Sequence, residues 1–173
     1  MFLKRFKEKS NQKYINNILN SRRVVADSRK VESIGIILSF DEFNNYEAFK
    51  SLFKEIKILE NKVKFIAFIT DEKLTPNSWD AFFNPKNFGW KGKIENVELE
   101  EFINTEFDAL ISYYREDLLE LNLVTALSKA NFKIGISSQD QRLHDFIIDI
   151  KPHQIDLFKY ELIKYLKVLN KIV

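Results

Sequence analysis

Phe107 to Ser137 reads FDALISYYREDLLELNLVTALSKANFKIGIS. An apolar run, FDALISYY, breaks at Arg115–Asp117, apolar residues then recur at helical spacing (Leu118, Leu121, Val124, Leu127), and a second short apolar run, NFKIGIS, follows. The reading is strand, loop, helix, strand. The helix between the two strands is long enough for the crossover of about a dozen residues or more that parallel strands need. Asp117 with Glu120 three residues later has the spacing of a helix capping box, which places the helix start there. Ile134 and Ile136 are expected on opposite faces of an interior strand, both buried under helices.

The same alternation continues on either side. SIGIILSF, Ser33 to Phe40, is a strand covered on both faces. In the segment after it, Asn44 and Glu47 repeat the cap-box spacing, and Tyr46, Phe49, Leu52, Phe53, Ile56 and Leu59 form a helical stripe. KVKFIAFIT, Lys62 to Thr70, is a second strand, closed by the turn residues of DEKLTP, 71–76. The aromatic stretch NSWDAFFNPKNFGWKG, 77–92, is expected to hold one short strand, at Ala81–Phe83 or at Phe88–Trp90. VELEEFINTEF reads as a short helix carried by Val97, Leu99, Phe102 and Ile103. RLHDFIIDI, Arg142 to Ile150, is expected to be the last strand. After Pro152 comes a helix whose stripe is Ile155, Phe158, Leu162, Tyr165, Leu166, Leu169 and Val173. Strands alternating with helices predict an α/β fold: one three-layer, Rossmann-like domain with a mostly parallel sheet and helices on both faces, over residues 31–173. Residues 1–30 are expected to form a separate basic N-terminal helical segment.

At 173 residues, 45% of them hydrophobic, the chain can bury roughly 70% of its unfolded surface around one core. It has no cysteine, so disulfides, thiolate metal sites and cysteine nucleophiles are excluded together. No apolar run approaches the roughly 20 residues that a membrane-spanning helix needs, and the expected location is cytoplasmic, with peripheral membrane contact open through the basic ends. Charge is distributed in blocks. Residues 1–30 carry nine Lys and Arg against two acids, residues 31–150 thirteen against twenty-one, and residues 151–173 five against two. Basic ends flanking an acidic middle bear on partners rather than on fold. The richness in Lys, Asn, Ile and Phe is of the kind found in AT-rich bacterial genomes.

In an open parallel sheet, ligands bind beyond the carboxyl ends of the strands. The first of those loops reads SFDEFNNYE, with no glycine and with two carboxylates where a dinucleotide fold would cradle phosphate, and none of the four glycines (Gly35, Gly89, Gly92, Gly135) has dinucleotide or P-loop spacing. Gly35 and Gly135 lie inside strands, where close packing of a neighbouring element is the expectation. The candidate ligand-binding residues at the strand ends are Asp41, Glu42, Asn45, Asp71, Tyr113, Arg115, Ser137 and Ser138. Arg115 could clamp a phosphate or carboxylate beside a helix N-terminus, or pair with Glu116 or Asp117. Asp41, Glu42 and Asp71 could approach a divalent cation, but no metal motif is present, and neither a metal nor a cofactor is expected. His144 and His153 belong to no catalytic or metal pattern, and no catalytic residue is assigned. Trp79, Phe82, Phe83, Phe88 and Trp90 read as sheet core first and, second, as a surface for a protein partner or self-association across residues 79–90.

FFNPKNFGWKGKI, FDALISYY, LVTALSKANFKIGIS and HDFIIDI together resemble an uncharacterised bacterial family, found mainly in Bacteroidetes and classed as a domain of unknown function. The resemblance covers most of residues 31–170 and implies a Rossmann-like fold. More distantly, parts of the chain are similar to the acceptor-side half of heptosyltransferase-type glycosyltransferases; that similarity carries over no catalytic residue.

In MFLKRFKEKSNQKYINNILNSRR, Phe2, Leu3 and Phe6 fall on one side of a helix. Tyr14, Ile15, Ile18 and Leu19 are read as continuing that face with a modest drift in phase. Lys4, Arg5, Lys7, Lys9, Lys13, Arg22 and Arg23 are the candidate contacts for an anionic membrane, RNA or an acidic partner. The competing expectation is that the apolar face packs on the domain itself. The functional expectation is a non-catalytic binding or scaffold protein. The alternatives are a nucleotide or nucleotide-sugar binder, and a protein held to RNA, the ribosome or a membrane surface by its basic ends.

Overall fold

The computed structural model describes residues 1–71, 73 and 81–173. Among these, six strands form one sheet: β1 (Ile34–Ser39), β2 (Val63–Phe68), β3 (Ala81–Phe83), β4 (Ala109–Tyr113), β5 (Phe132–Gly135) and β6 (Phe146–Ile147). The order is β3-β2-β1-β4-β5-β6, and every neighbouring pair is parallel. The chain builds outward from β1 to β3 and then returns to lay β4 on the other side of β1. Strand order therefore reverses between β1 and β4.

Five α-helices cover the two faces: α1 (Phe2–Ser21), α2 (Glu47–Glu55), α3 (Val97–Asn104), α4 (Leu119–Leu127) and α5 (Ile155–Val168). Ile36 and Leu38 of β1 enter one core with Phe49, Leu52 and Phe53 of α2 and Phe158, Leu162 and Leu166 of α5. Ile37, between them in sequence, enters the opposite core with Ile15 and Leu19 of α1, Leu99 and Phe102 of α3, and Leu121 and Val124 of α4. Successive strand residues point to opposite faces, so two covered faces require the unbroken apolar run that β1 shows. Tyr113 sits at the centre of the first core, edge-on to Phe43, Phe49 and Phe158 at centroid separations of 5.0–5.2 Å. Each such aromatic pair contributes about 0.5–1.5 kcal/mol beyond the area it buries.

The glycines inside strands meet the expected close approach. A Cβ on Gly35 would lie 2.7 Å from the Phe107 ring, and one on Gly135 2.5 Å from the His144 ring.

Three expectations need correction. Ile134 and Ile136 are both buried in an interior strand segment, but both lie in the core of α2 and α5. Residues two apart on a strand share a face; the opposite face of β5 is formed by Lys133 and Gly135. The last strand is shorter than Arg142–Ile150, because Asp140 caps a 3-10 turn at Gln141–Leu143 and the Asp145 carboxylate accepts the Lys133 amide, taking the place of a strand carbonyl. Neither cap box forms. Helix α2 starts at Glu47, with Asn45 rather than Asn44 accepting the Ala48 amide at 3.3 Å, and the Asp117 side chain takes the Asn122 amide group instead of capping α4.

Helix α1 is tied down along its second half. Asn11, fully buried, donates to the Gly89 carbonyl (3.0 Å) and accepts from the Gly92 amide (2.8 Å). Gly92 has φ +71 and lies against the Tyr14 ring, where a Cβ would come within 2.2 Å of a ring carbon. Only glycine meets both demands. At the end of the helix, Arg22 pairs with the buried Asp145 at 2.6 Å, and the Arg142 guanidinium donates to Asn16 and Asn20.

Candidate functional site

The carboxyl ends of β1 and β4 are the place where this topology offers a crevice. The chain leaving β1 turns back at once, with the Glu42 and Phe43 amides donating to the Ser39 carbonyl, and Phe43 packs on Tyr113. That turn delivers the Glu42 carboxylate to the loop after β4, where Oε2 accepts the amides of Arg115 (2.7 Å) and Glu116 (3.2 Å). Glu116 in turn accepts the Ser39 hydroxyl at 2.9 Å. The two loops are thus cross-linked by each other's carboxylates.

The Arg115 side chain is also committed inside the chain. Its guanidinium donates to the carbonyls of Ile136 and Ile150, each at 2.9 Å, and to Asp149 Oδ1 at 2.5 Å. The arginine holds the Asp149 carboxyl below the usual carboxylate range, and the Ser138 hydroxyl donates to the other Asp149 oxygen. The expected pairing of Arg115 with Glu116 or Asp117 is replaced by a clamp across the ends of β4, β5 and the segment after β6.

The other candidates diverge. Asp41 accepts the Thr70 hydroxyl (2.8 Å), Asn45 lies at the start of α2, Asp71 accepts the Lys73 amide (2.9 Å), and Ser137 accepts the Gln139 amide. Tyr113 is a core residue whose hydroxyl donates to the Pro152 carbonyl; burial raises its pKa. Among the described residues, no group of three or more His, Cys, Asp or Glu stands close enough to hold a metal ion. Space is equally scarce. Tyr114, Arg115, Asn122, Ser137, Asp140 and His144 enclose a cavity of about 10 Å³, the room of a single water molecule.

Two buried bases, of which His144 lines this cavity, were not assigned a place by sequence. The His144 ring lies over Gly135 with both nitrogens unpartnered within the chain, and burial, with Arg22 and Lys133 nearby, holds its pKa at about 3. His144 packs on Gly135 while Asp145 accepts from Arg22 and the Lys133 amide, as neighbours on an extended segment face opposite ways. Lys133 Nζ donates to the Thr125 and Ala126 carbonyls at the C-terminal end of α4, where a cation is favoured, while burial lowers its pKa to about 8. The glycine-free, doubly acidic SFDEFNNYE was the one available signal for Glu42: it marks a loop that repels phosphate, and a carboxylate sits in that role.

In the basic segment, Lys4, Arg5, Lys9, Lys13 and Arg23 are exposed, Lys7 donates to the Phe88 carbonyl, and Arg22 is spent on Asp145. Of the aromatic stretch, Trp79 lies outside the described residues, Phe83 and Phe88 are buried, Phe82 is half-buried, and Trp90 is 49% exposed. A stacking platform of several rings is not formed among the described residues.

Fold and site together define a Rossmann-like α/β domain whose switch-point crevice is closed by its own side chains. A model of a family of unknown function (DUF6913) matches residues 7–169, and the chain belongs to that family. No curated protein matches the chain. Neither comparison shows the heptosyltransferase-type similarity.

Proposed function

We propose that this chain is a non-catalytic, cytoplasmic binding or scaffold protein of bacteria, one in which the Rossmann-like sheet carries interaction surfaces rather than a nucleotide. The observation that carries the reading is the Glu42 carboxylate on the Arg115 and Glu116 amides. Backbone amides at a helix-leading loop are what a nucleotide phosphate would use. Here a fixed anion satisfies them already. A charge-assisted hydrogen bond contributes about 1.5–3 kcal/mol, so an incoming phosphate would have to displace two such bonds and meet the expelled carboxylate as a like charge. The absence of cysteine suits a reducing compartment, and no described helix is long and apolar enough to cross a membrane.

The alternative, a nucleotide or nucleotide-sugar binder using Asp41 to Tyr46, Arg115, Ser137 and Ser138, requires Glu42 to swing out of the crevice. A thermal-shift panel of nucleotides, nucleotide-sugars and divalent cations separates the two. Ligand at a hundred times its dissociation constant adds about 2.7 kcal/mol of stability. The expected result is no shift with any of them; reproducible stabilisation by a nucleotide overturns the scaffold reading.

A further inference from the structure

We infer that the first two turns of α1 dock on an anionic lipid bilayer. Phe2, Leu3 and Phe6 are 82%, 75% and 55% exposed, a concentration of large apolar side chains in water that the rest of the helix does not show. Scattered exposed apolar residues are ordinary, but three on one face of two turns form a patch. At 100° per residue this patch is centred about 170° around the helix from the buried Asn11, Ile15 and Leu19. The expected single face with a modest drift is therefore two faces, nearly back to back.

That rotation is fixed. Asn11 makes two hydrogen bonds to the 89–92 loop, and Arg22 holds Asp145. The helix cannot turn its outer patch onto the domain without releasing both. The patch is thus left for a partner outside the chain.

Charge selects the partner. Lys4, Arg5, Lys9 and Lys13 are exposed along this part of the helix, Lys4 on the side away from the patch, and Glu8 is the one acid among residues 1–13. Lys9 and Lys13 lie on the patch side of the helix, within about 70° of its centre. Apolar side chains that enter the acyl boundary, with lysines at their margin reaching the headgroups, describe an interfacial amphipathic helix. An anionic bilayer satisfies the apolar and the cationic groups together. RNA would use the cations and leave Leu3 in water. A second copy packed patch to patch would bring two surfaces of the same positive sign together. This inference stands whether or not the switch-point crevice takes a ligand.

The test is co-sedimentation of the full chain with vesicles of phosphatidylglycerol in phosphatidylcholine, against pure phosphatidylcholine, together with melting temperature and light scattering. Wild type is expected on the anionic vesicles and not on the neutral ones. Phe2→Ser, Leu3→Ser and Phe6→Ser combined should lower partitioning about tenfold or more, since binding scales with inserted apolar area. Melting temperature should hold, since those side chains have no place in the core. Lys9→Glu with Lys13→Glu should lower partitioning by at least about fivefold per residue. The inference is overturned by failure of wild type to bind, by equal binding to neutral vesicles, by full binding of the triple-serine variant, or by a wild-type dimer that this variant dissolves.

Discussion

At the carboxyl ends of β1 and β4, carboxylates, amides and the Arg115 guanidinium are matched to one another inside the chain. On the first two turns of α1, three large apolar side chains face water with Lys9 and Lys13 at their margin. The first region has the address of a ligand site and is filled; the second has no such address and is open. The contrast teaches that position in a fold names where binding can occur, while the disposition of unmatched groups says where it is still available. It also places the cost of mutation at opposite ends: changes in the closed region should act on stability, and changes in the open one on association.

The largest expected effect is in acid, at the closed region. His144 has a folded pKa of about 3 against an ordinary value of 6.5, so between those values the unfolded chain binds a proton that the folded chain does not. Stability is full above pH 6.5 and is lost as pH falls toward 3, with a slope of up to about 1.4 kcal/mol per pH unit from this residue. Urea melts of wild type and His144→Asn across that window measure it. The variant should show the shallower dependence, and equal slopes would mean that the imidazole ionises in place and the region is not sealed.

Next in size is Glu42→Ala. It removes the anion from two loop amides and leaves them beside the Glu116 carboxylate, with an expected loss of about 2–4 kcal/mol, since each charge-assisted bond contributes about 1.5–3 kcal/mol and water recovers part. Chemical denaturation reads it. A near-neutral result would show that the crevice is not held shut by this residue, and would blur the distinction between the two regions. The smallest effect belongs to the open end: Phe6→Ala should change stability by no more than about 0.5 kcal/mol, as exposed substitutions do. A loss of several kcal/mol in the same assay would mean that the patch is part of the core.

The sheet was legible because its strands are buried on both faces, which writes SIGIILSF, KVKFIAFIT, FDALISYY and NFKIGIS as apolar runs that need no knowledge of their neighbours. Features set by who stands beside whom were not. Glu42 finds amides 73 and 74 residues away, and Arg22 finds a carboxylate 123 residues away. Both depend on strand order, which periodicity does not encode. The cap boxes failed for a related reason: their spacing is local, but the loops before α2 and α4 are shaped by the crevice contacts, so the helices begin elsewhere. The two faces of α1 were legible in principle, since the angle between Phe6 and Ile15 follows from helical pitch alone; reading them as one face overlooked how far that angle had moved.

The docking of α1 also has a temporal side. Its partners are the 89–92 loop, α4 and residues 142–145, reached through contacts separated by 78 to 126 positions along the chain. Contacts of such separation are closed late, after the loops between them have been ordered. Helix α1 thus leaves the ribosome before the segments that cover it and is among the last of the described elements to find its place. Until Asp145 has been made and β5 and β6 have paired, Ile15 and Leu19 are as uncovered as Phe2 and Phe6, so the nascent chain carries a helix with two uncovered apolar faces, of which the finished protein leaves one.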